Sequence, residues 1–400
     1  MQTPTRTHRN ATLLPPVPPT AAPARPPAWR FLRWLLSMAA FAGVGMAVGF
    51  AAARFGVRLD GDLLPSPGWA LLAGFVLAIW PNIVLHEAGH AAAGLACGMR
   101  ALAFGIGPYR FERGAGGWRF RHGGGVRGIS GFAALLPGER RHFGPIDHAV
   151  FLFGGPLANL LTAVLGLTAA ALLAGSAWAA AVQGVAYSAL LLGLVNLVPF
   201  QSKGWRSDGR GLLDLLRATP DAALQQQINQ LMALSMAGVR PRDWPEALLP
   251  AVTDDSSTPV LVIVGRLLRL SRACDQRDAP AARDCAEVLC ARFWEAPEVL
   301  RPNIAVSLAG HAAVMLRDDS LVAAWRPLCE GGLLDLSPYR DWLDAEHAAL
   351  SGDTAAALRH LEAARAHLDR VQDSASLEVL GEQLDALAAR LQTATCVKDA

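Results

Sequence analysis

Apolar residues fall along this 400-residue chain in two regimes. Up to about residue 202 they run in long blocks, and from about Gly209 they recur three and four apart among charged residues. A block of about 20 apolar residues is long enough to cross a bilayer as a helix. The first block spans residues 34–53 and the second 68–99. The stretch from Ala149 to Ser202 holds no Asp, Glu, Lys, Arg or His and is too long for one crossing. Gly175-Ser176 offers a turn that divides it into spans 149–174 and 178–200. Between the second and third spans the pattern changes to alternation. Tyr109 and Phe111 alternate with Arg110 and Glu112, Trp118 and Phe120 with Arg119 and Arg121, and Gly114–Gly117 makes the turn. That predicts a β-hairpin inside region 101–137.

Beyond Gly209 the period is helical. Ser337-Pro338 opens a helix that ends near Ser351-Gly352, and Asp353 caps the next, with Leu358, Leu361 and Leu368 on one face. Leu377, Leu380, Leu384, Leu387 and Leu391 follow at alternating spacings of three and four, too few heptads for a coiled coil and better suited to a helical array. Residues 1–30 are rich in Pro, Thr and Ala, carry no acid and cannot bury a core, which predicts a disordered tail. The fold class expected is therefore a membrane, mostly α protein. Four transmembrane helices and a cytoplasmic-side β-hairpin form a core over 31–217, and a soluble, all-α helical array follows over 218–400.

Composition sharpens this. The chain is 52% hydrophobic and 18% charged, against roughly 25% charged in an ordinary soluble domain. Disorder of the whole chain is excluded. A net charge of +2 provides no global basic field, so no nucleic-acid partner is expected. Cys274, Cys285 and Cys290 match no zinc pattern with CxxC pairs, and the six cysteines do not make a disulfide framework. The tail carries only basic charge, and eight arginines lie between Arg100 and Arg141 against Glu112, Glu139 and Asp147. On the other side, Arg54 and Arg58 are balanced by Asp60 and Asp62. The positive-inside rule puts both chain ends and the long loop in the cytoplasm. The location expected is the bacterial inner membrane, with the lipid bilayer as a partner.

The second span contains His86-Glu87-Ala88-Gly89-His90. Positions i and i+4 share a helix face, so both imidazoles can meet one ion while Glu87 sits beside that face as a base. An acid inside a span costs about 2.5–3.5 kcal/mol on insertion scales, which makes it a functional-site hypothesis by default. The plain alternative is a polar cluster that joins helices by hydrogen bonds, and it needs no particular spacing. A catalytic zinc site needs a third protein ligand. The fourth span ends Asn196-Leu197-Val198-Pro199, and Ser207-Asp208-Gly209 follows; topology returns Asp208 to the end of the second span that carries the histidines. Asp214 competes for the role but falls on a helix expected at the surface.

Taken in order, His86-Glu87-Ala88-Gly89-His90, Gly155-Pro156-Leu157-Ala158-Asn159 and Asn196-Leu197-Val198-Pro199 leading to Asp208-Gly209 resemble the site-2 protease family of intramembrane zinc metalloproteases. The resemblance covers about residues 68–217. It implies His86, His90 and Asp208 as Zn2+ ligands, Glu87 as catalytic base, and a membrane-anchored protein as substrate, cleaved in or near its transmembrane segment on the cytoplasmic side. It also implies a sheet beside the metal, where an edge strand can capture an unwound substrate or simply pack over the site. Asn159 and Asn196 are candidates for substrate contact or for bonding between helices. One feature departs from the family. Eight residues, Phe200 to Ser207, separate proline from aspartate where the family has four. The rival reading is an inert membrane scaffold that binds a protein partner through the C-terminal helices. A transporter is disfavoured, because the third and fourth spans lack ionisable residues along any pathway.

Overall fold

The apolar blocks fold as helices, α1 Gly68–Ala96, α2 Pro145–Leu172 and α3 Trp178–Leu197, each long and apolar enough to cross a membrane. The computed structural model describes residues 10–19, 68–107, 109–122, 131–138, 143–176, 178–202, 205–250 and 258–398. The expected first span, 34–53, lies outside them. The chain is mostly helical and divides into two compact units, one of Met1–Pro16, Ile83–Asn159 and Leu192–Ala400, the other of Val17–Asn82 and Leu160–Leu191. In the second of these, small residues let helix backbones touch. A Cβ on Gly74 would fall 2.1 Å from the Ala181 carbonyl oxygen, and one on Gly184 2.0 Å from that of Leu71. Asn82, buried here, donates Nδ2 to the Val185 carbonyl at 3.2 Å.

In the other unit the expected hairpin is part of a larger sheet. Strands β1 Met99–Ile106, β2 Tyr109–Gly114, β3 Gly117–His122 and β4 Gly131–Pro137 pair antiparallel in the order β3-β2-β1-β4. α1 stops three residues before the expected end of its span, because Gly98 takes φ 80° and turns the chain into β1. Alternation along β2 separates two faces. Arg110, buried, donates Nη1 to the Gly332 carbonyl at 2.7 Å, and the Asp335 amide donates to Glu112 Oε2 at 2.9 Å. Burial pushes the Glu112 carboxyl above its usual range, an effect Arg121 opposes. Tyr109, Phe111, Trp118 and Phe120 are exposed. At the tip, the Ala115 and Gly116 amides donate to the carbonyls of Val371 and Asp369, both at 2.9 Å.

Asn196-Leu197-Val198-Pro199 leads into a two-strand hairpin, β5 Gln201–Ser202 and β6 Trp205–Arg206, and then α4 Asp208–Leu216. The helical array is α5 Pro220–Met236, α6 Pro259–Asp275, α7 Ala279–Ala291, α8 Arg301–His311, α9 Asp319–Trp325, α10 Ser337–Leu350, α11 Thr354–Ala366 and α12 Ser374–Lys398. Asp353 caps α11 by accepting from the Ala356 amide, as its sequence position predicts. Leu380, Leu384, Leu387 and Leu391 are all buried in one apolar core with Trp325 and Leu343. Leu361 joins them, whereas Leu358, expected on the same face, is 43% exposed. Residues 10–19 also depart from expectation. They are no disordered tail: Ala11–Leu13 forms a 3-10 turn, and Leu13 is buried in the same core.

Candidate metal centre

His86 and His90 stand one turn apart on α1 and leave it on one face, both buried. α2 crosses that face at backbone contact. A Cβ on Gly89 would lie 2.4 Å from the Gly154 carbonyl oxygen, and one on Gly154 2.5 Å from that of Gly89. Only glycine permits so close a crossing, and the crossing brings α2 polar groups to the imidazoles. The Phe151 carbonyl lies 2.8 Å from His90 Nδ1, and the Asn159 amide 3.2 Å from His86 Nδ1.

Asp208 arrives from the far end of α3. The eight residues before it do not lengthen the path, because β5 and β6 fold the surplus out as a hairpin. At its base the Ser207 amide donates to the Phe200 carbonyl at 3.0 Å, and the Phe200 amide to Ser207 Oγ at 3.1 Å. Ser207 Oγ also donates to the Val198 carbonyl at 2.6 Å and accepts from the Arg210 amide at 3.1 Å, which caps α4. Gly209 fits against the end of α3, where a Cβ would come within 1.9 Å of the Leu197 carbonyl oxygen. Asp208 Oδ2 then sits 3.2 Å from His86 Nε2 and 3.4 Å from His90 Nε2, and the two Nε2 atoms are 3.2 Å apart.

These three ligand atoms lie within 4.8 Å of one another, and the triad can hold a metal ion. The surroundings fit that use. A carbonyl accepts only, so His90 Nδ1 carries the proton and turns the Nε2 lone pair toward the cluster. Among the described residues Asn159 Oδ1 is buried without a partner; turned to His86 Nδ1, it would fix the same tautomer there. Gly155 leaves the space in front of the triad: a Cβ there would fall 2.4 Å from His90 Nε2 and 2.8 Å from His86 Nε2. Glu87 lies beside the triad, its carboxylate accepting from the Ala133 amide of β4. A Cβ on Gly131 would touch its Cγ at 3.1 Å.

The structure thus brings together His86, Glu87, His90 and Asp208 as the sequence predicts. Three other candidates are placed as follows. Asp214 is not on a surface face: it is buried and paired with Arg206 at 3.1 Å and Arg210 at 3.0 Å, apart from the histidines. Asn159 is fully buried and lies against the His86 ring, the bonding between helices that was one of its two readings. Asn196 donates Nδ2 to the Leu192 carbonyl of its own helix at 3.0 Å. Sequence reasoning assigned no role to Gly155 or Ser207. The signals were Gly154-Gly155 inside an apolar helix, which marks a close approach, and a serine at a helix start. No family model, curated protein or solved structure matches this chain.

Proposed function

We propose that this chain is a multi-pass membrane zinc metalloprotease of the site-2 type, which cleaves a membrane-anchored protein in or near its transmembrane segment on the cytoplasmic side. The observation that carries this reading is the convergence of His86, His90 and Asp208 on the space that Gly155 leaves, with Glu87 alongside. Two imidazoles and one carboxylate with an open fourth position are the donor set of a catalytic zinc. The membrane setting is supported by α1, α2 and α3, which leave Trp69, Leu77, Leu165, Leu172 and Leu194 exposed. Such large apolar surface suits lipid and not water.

When bound, zinc supplies the Lewis acidity that makes water a competent nucleophile near neutral pH. Glu87 takes the proton of the attacking water and passes it to the leaving amine. The Ala133 amide holds the Glu87 carboxylate against β4. β4 is an edge strand, so its outer side is suited to receive a locally unwound substrate as an added strand. The rival scaffold reading rested on the lengthened segment before Asp208. That argument loses its force, because the β5–β6 hairpin absorbs the extra residues and leaves Asp208 beside both histidines.

The test is cleavage of single-span reporter proteins in proteoliposomes by wild-type and Glu87→Gln protein. The variant is expected to lose roughly 10²- to 10⁴-fold in rate while it retains zinc. Undiminished turnover would remove Glu87 from the mechanism, and the absence of any metal-dependent cleavage by the wild type would reject the protease reading.

A further inference from the structure

Residues Asn10–Pro16 sit in the C-terminal helical domain the way a peptide ligand sits in a receptor. Leu13 is the anchor. It is 2% exposed and belongs to the apolar cluster that contains Cys290, Phe293 and Trp325. The main chain is held as well. Trp325 Nε1 donates to the Leu13 carbonyl and Trp294 Nε1 to the Pro16 carbonyl, both at 2.8 Å, and Cys290 Sγ approaches the Leu13 carbonyl at 3.6 Å. Polar side chains fix the N-terminal end. Arg283 Nη2 donates to Asn10 Oδ1 at 2.6 Å, Asn10 Nδ2 to Asp318 Oδ2 at 2.8 Å, and Thr12 Oγ1 to Glu287 Oε1 at 3.1 Å. Leu14, between these anchors, is 46% exposed.

One feature marks this as recognition rather than ordinary packing. Indole N–H groups that bond carbonyls of an extended, proline-containing segment are the chemistry by which aromatic grooves bind such peptides, whose prolines reduce the entropy lost on ordering. With the segment in place the Trp325 side chain is 1% exposed, so Leu13 and its carbonyl close over the indole. α7, the turn at Phe293–Glu295, and the start and end of α9 contribute its walls.

We propose that the C-terminal domain is a peptide-docking module for segments of the form Asn-x-Thr-Leu-x-Pro-Pro, and that residues 10–16 of this chain are its resident occupant. A partner protein that carries a segment of the same chemistry binds by displacing them. The inference does not depend on the proteolytic activity.

The test uses the full chain and a fluorescein-labelled peptide of residues 8–19, followed by fluorescence anisotropy. In wild-type protein the tethered segment competes at an effective concentration near millimolar, so the labelled peptide binds weakly. Leu13→Asp empties the groove, and the same peptide is then expected to bind roughly 10²-fold more tightly. A labelled peptide that itself carries Leu13→Asp should not bind either protein. Equal binding to both proteins, or binding to neither, overturns the proposal. A second protein leaves the anchor unchanged and carries a protease site inserted between Pro19 and Thr20. After cutting, the N-terminal fragment is expected to leave on dilution and the labelled peptide to take its place. A fragment that never exchanges, or a domain that unfolds once cut, would make the segment an integral part of the core and overturn the proposal.

Discussion

Buried polar groups occur both around the triad and in the C-terminal helices, but on opposite terms. In the helical domain the buried charges of Arg240 and Glu346 meet their opposites. Arg240, 4% exposed, bonds Asp275 at 2.7 Å and Glu382 at 2.8 Å, and Glu346, fully buried, lies between Arg317 at 3.5 Å and Arg390 at 2.5 Å. At the triad, two imidazoles and a carboxylate face one another within 4.8 Å. Paired charges complete a fold by themselves, whereas ligand groups gathered in this way can hold a cation between them. Packing differs in the same sense. Large side chains such as Trp325, Leu343 and Leu384 fill the domain, while glycines bring backbones together around the triad. Large side chains exposed on α1, α2 and α3 have one counterpart after Leu216 among the described residues, Leu358.

Substitutions break this comparison selectively. Gly155→Ala has the largest expected effect. Its methyl group enters the space before both Nε2 atoms, so purified protein should lose stoichiometric zinc by elemental analysis while the unfolding transition of the helical domain is unchanged. Leu384→Ala should do the converse, lowering stability by about 2–5 kcal/mol in denaturant titrations and leaving the zinc content intact.

His311 sharpens the contrast through pH. Burial, reinforced by Arg283, pushes its pKa down to about 4 from 6.5. The unfolded chain therefore binds a proton between pH 6.5 and 4 that the folded chain does not. Stability is fully present above pH 6.5 and falls as the pH drops through this window, by about 2 kcal/mol between pH 7 and 5. Unfolding free energies at the two pH values check this, and His311→Phe should flatten the difference. The smallest effect is expected at Asn159, whose side chain lies against the His86 ring. Asn159→Ala should weaken zinc binding about tenfold in competition with a chelator, the low end of what such supporting bonds contribute.

The triad was legible in the sequence because its parts are local signals: the i, i+4 histidines and Asp208-Gly209 after the proline. The sequence could not carry the distance from Asp208 to the histidines, which depends on a hairpin pinched between Phe200 and Ser207. The sheet was half legible. Alternation revealed β2 and β3, but β1 and β4 are mostly apolar and paired across a long stretch of chain, so no local period announces them. Pro-rich composition suggested disorder for residues 10–16, because the groove that orders them lies nearly 300 residues away in sequence. Composition describes what a segment can do alone, and here the partner is supplied elsewhere in the chain.

The claim that His86, His90 and Asp208 form a hydrolytic metal site is tested most directly by X-ray absorption at the zinc edge on purified wild-type and Asp208→Ala protein. The account predicts one zinc per chain, with two imidazole nitrogens and a carboxylate oxygen at about 2.0–2.2 Å, and loss of the oxygen contribution with weakened binding in the variant. A spectrum dominated by sulfur, a spectrum unchanged by the substitution, or protein that takes up no zinc on reconstitution would contradict it.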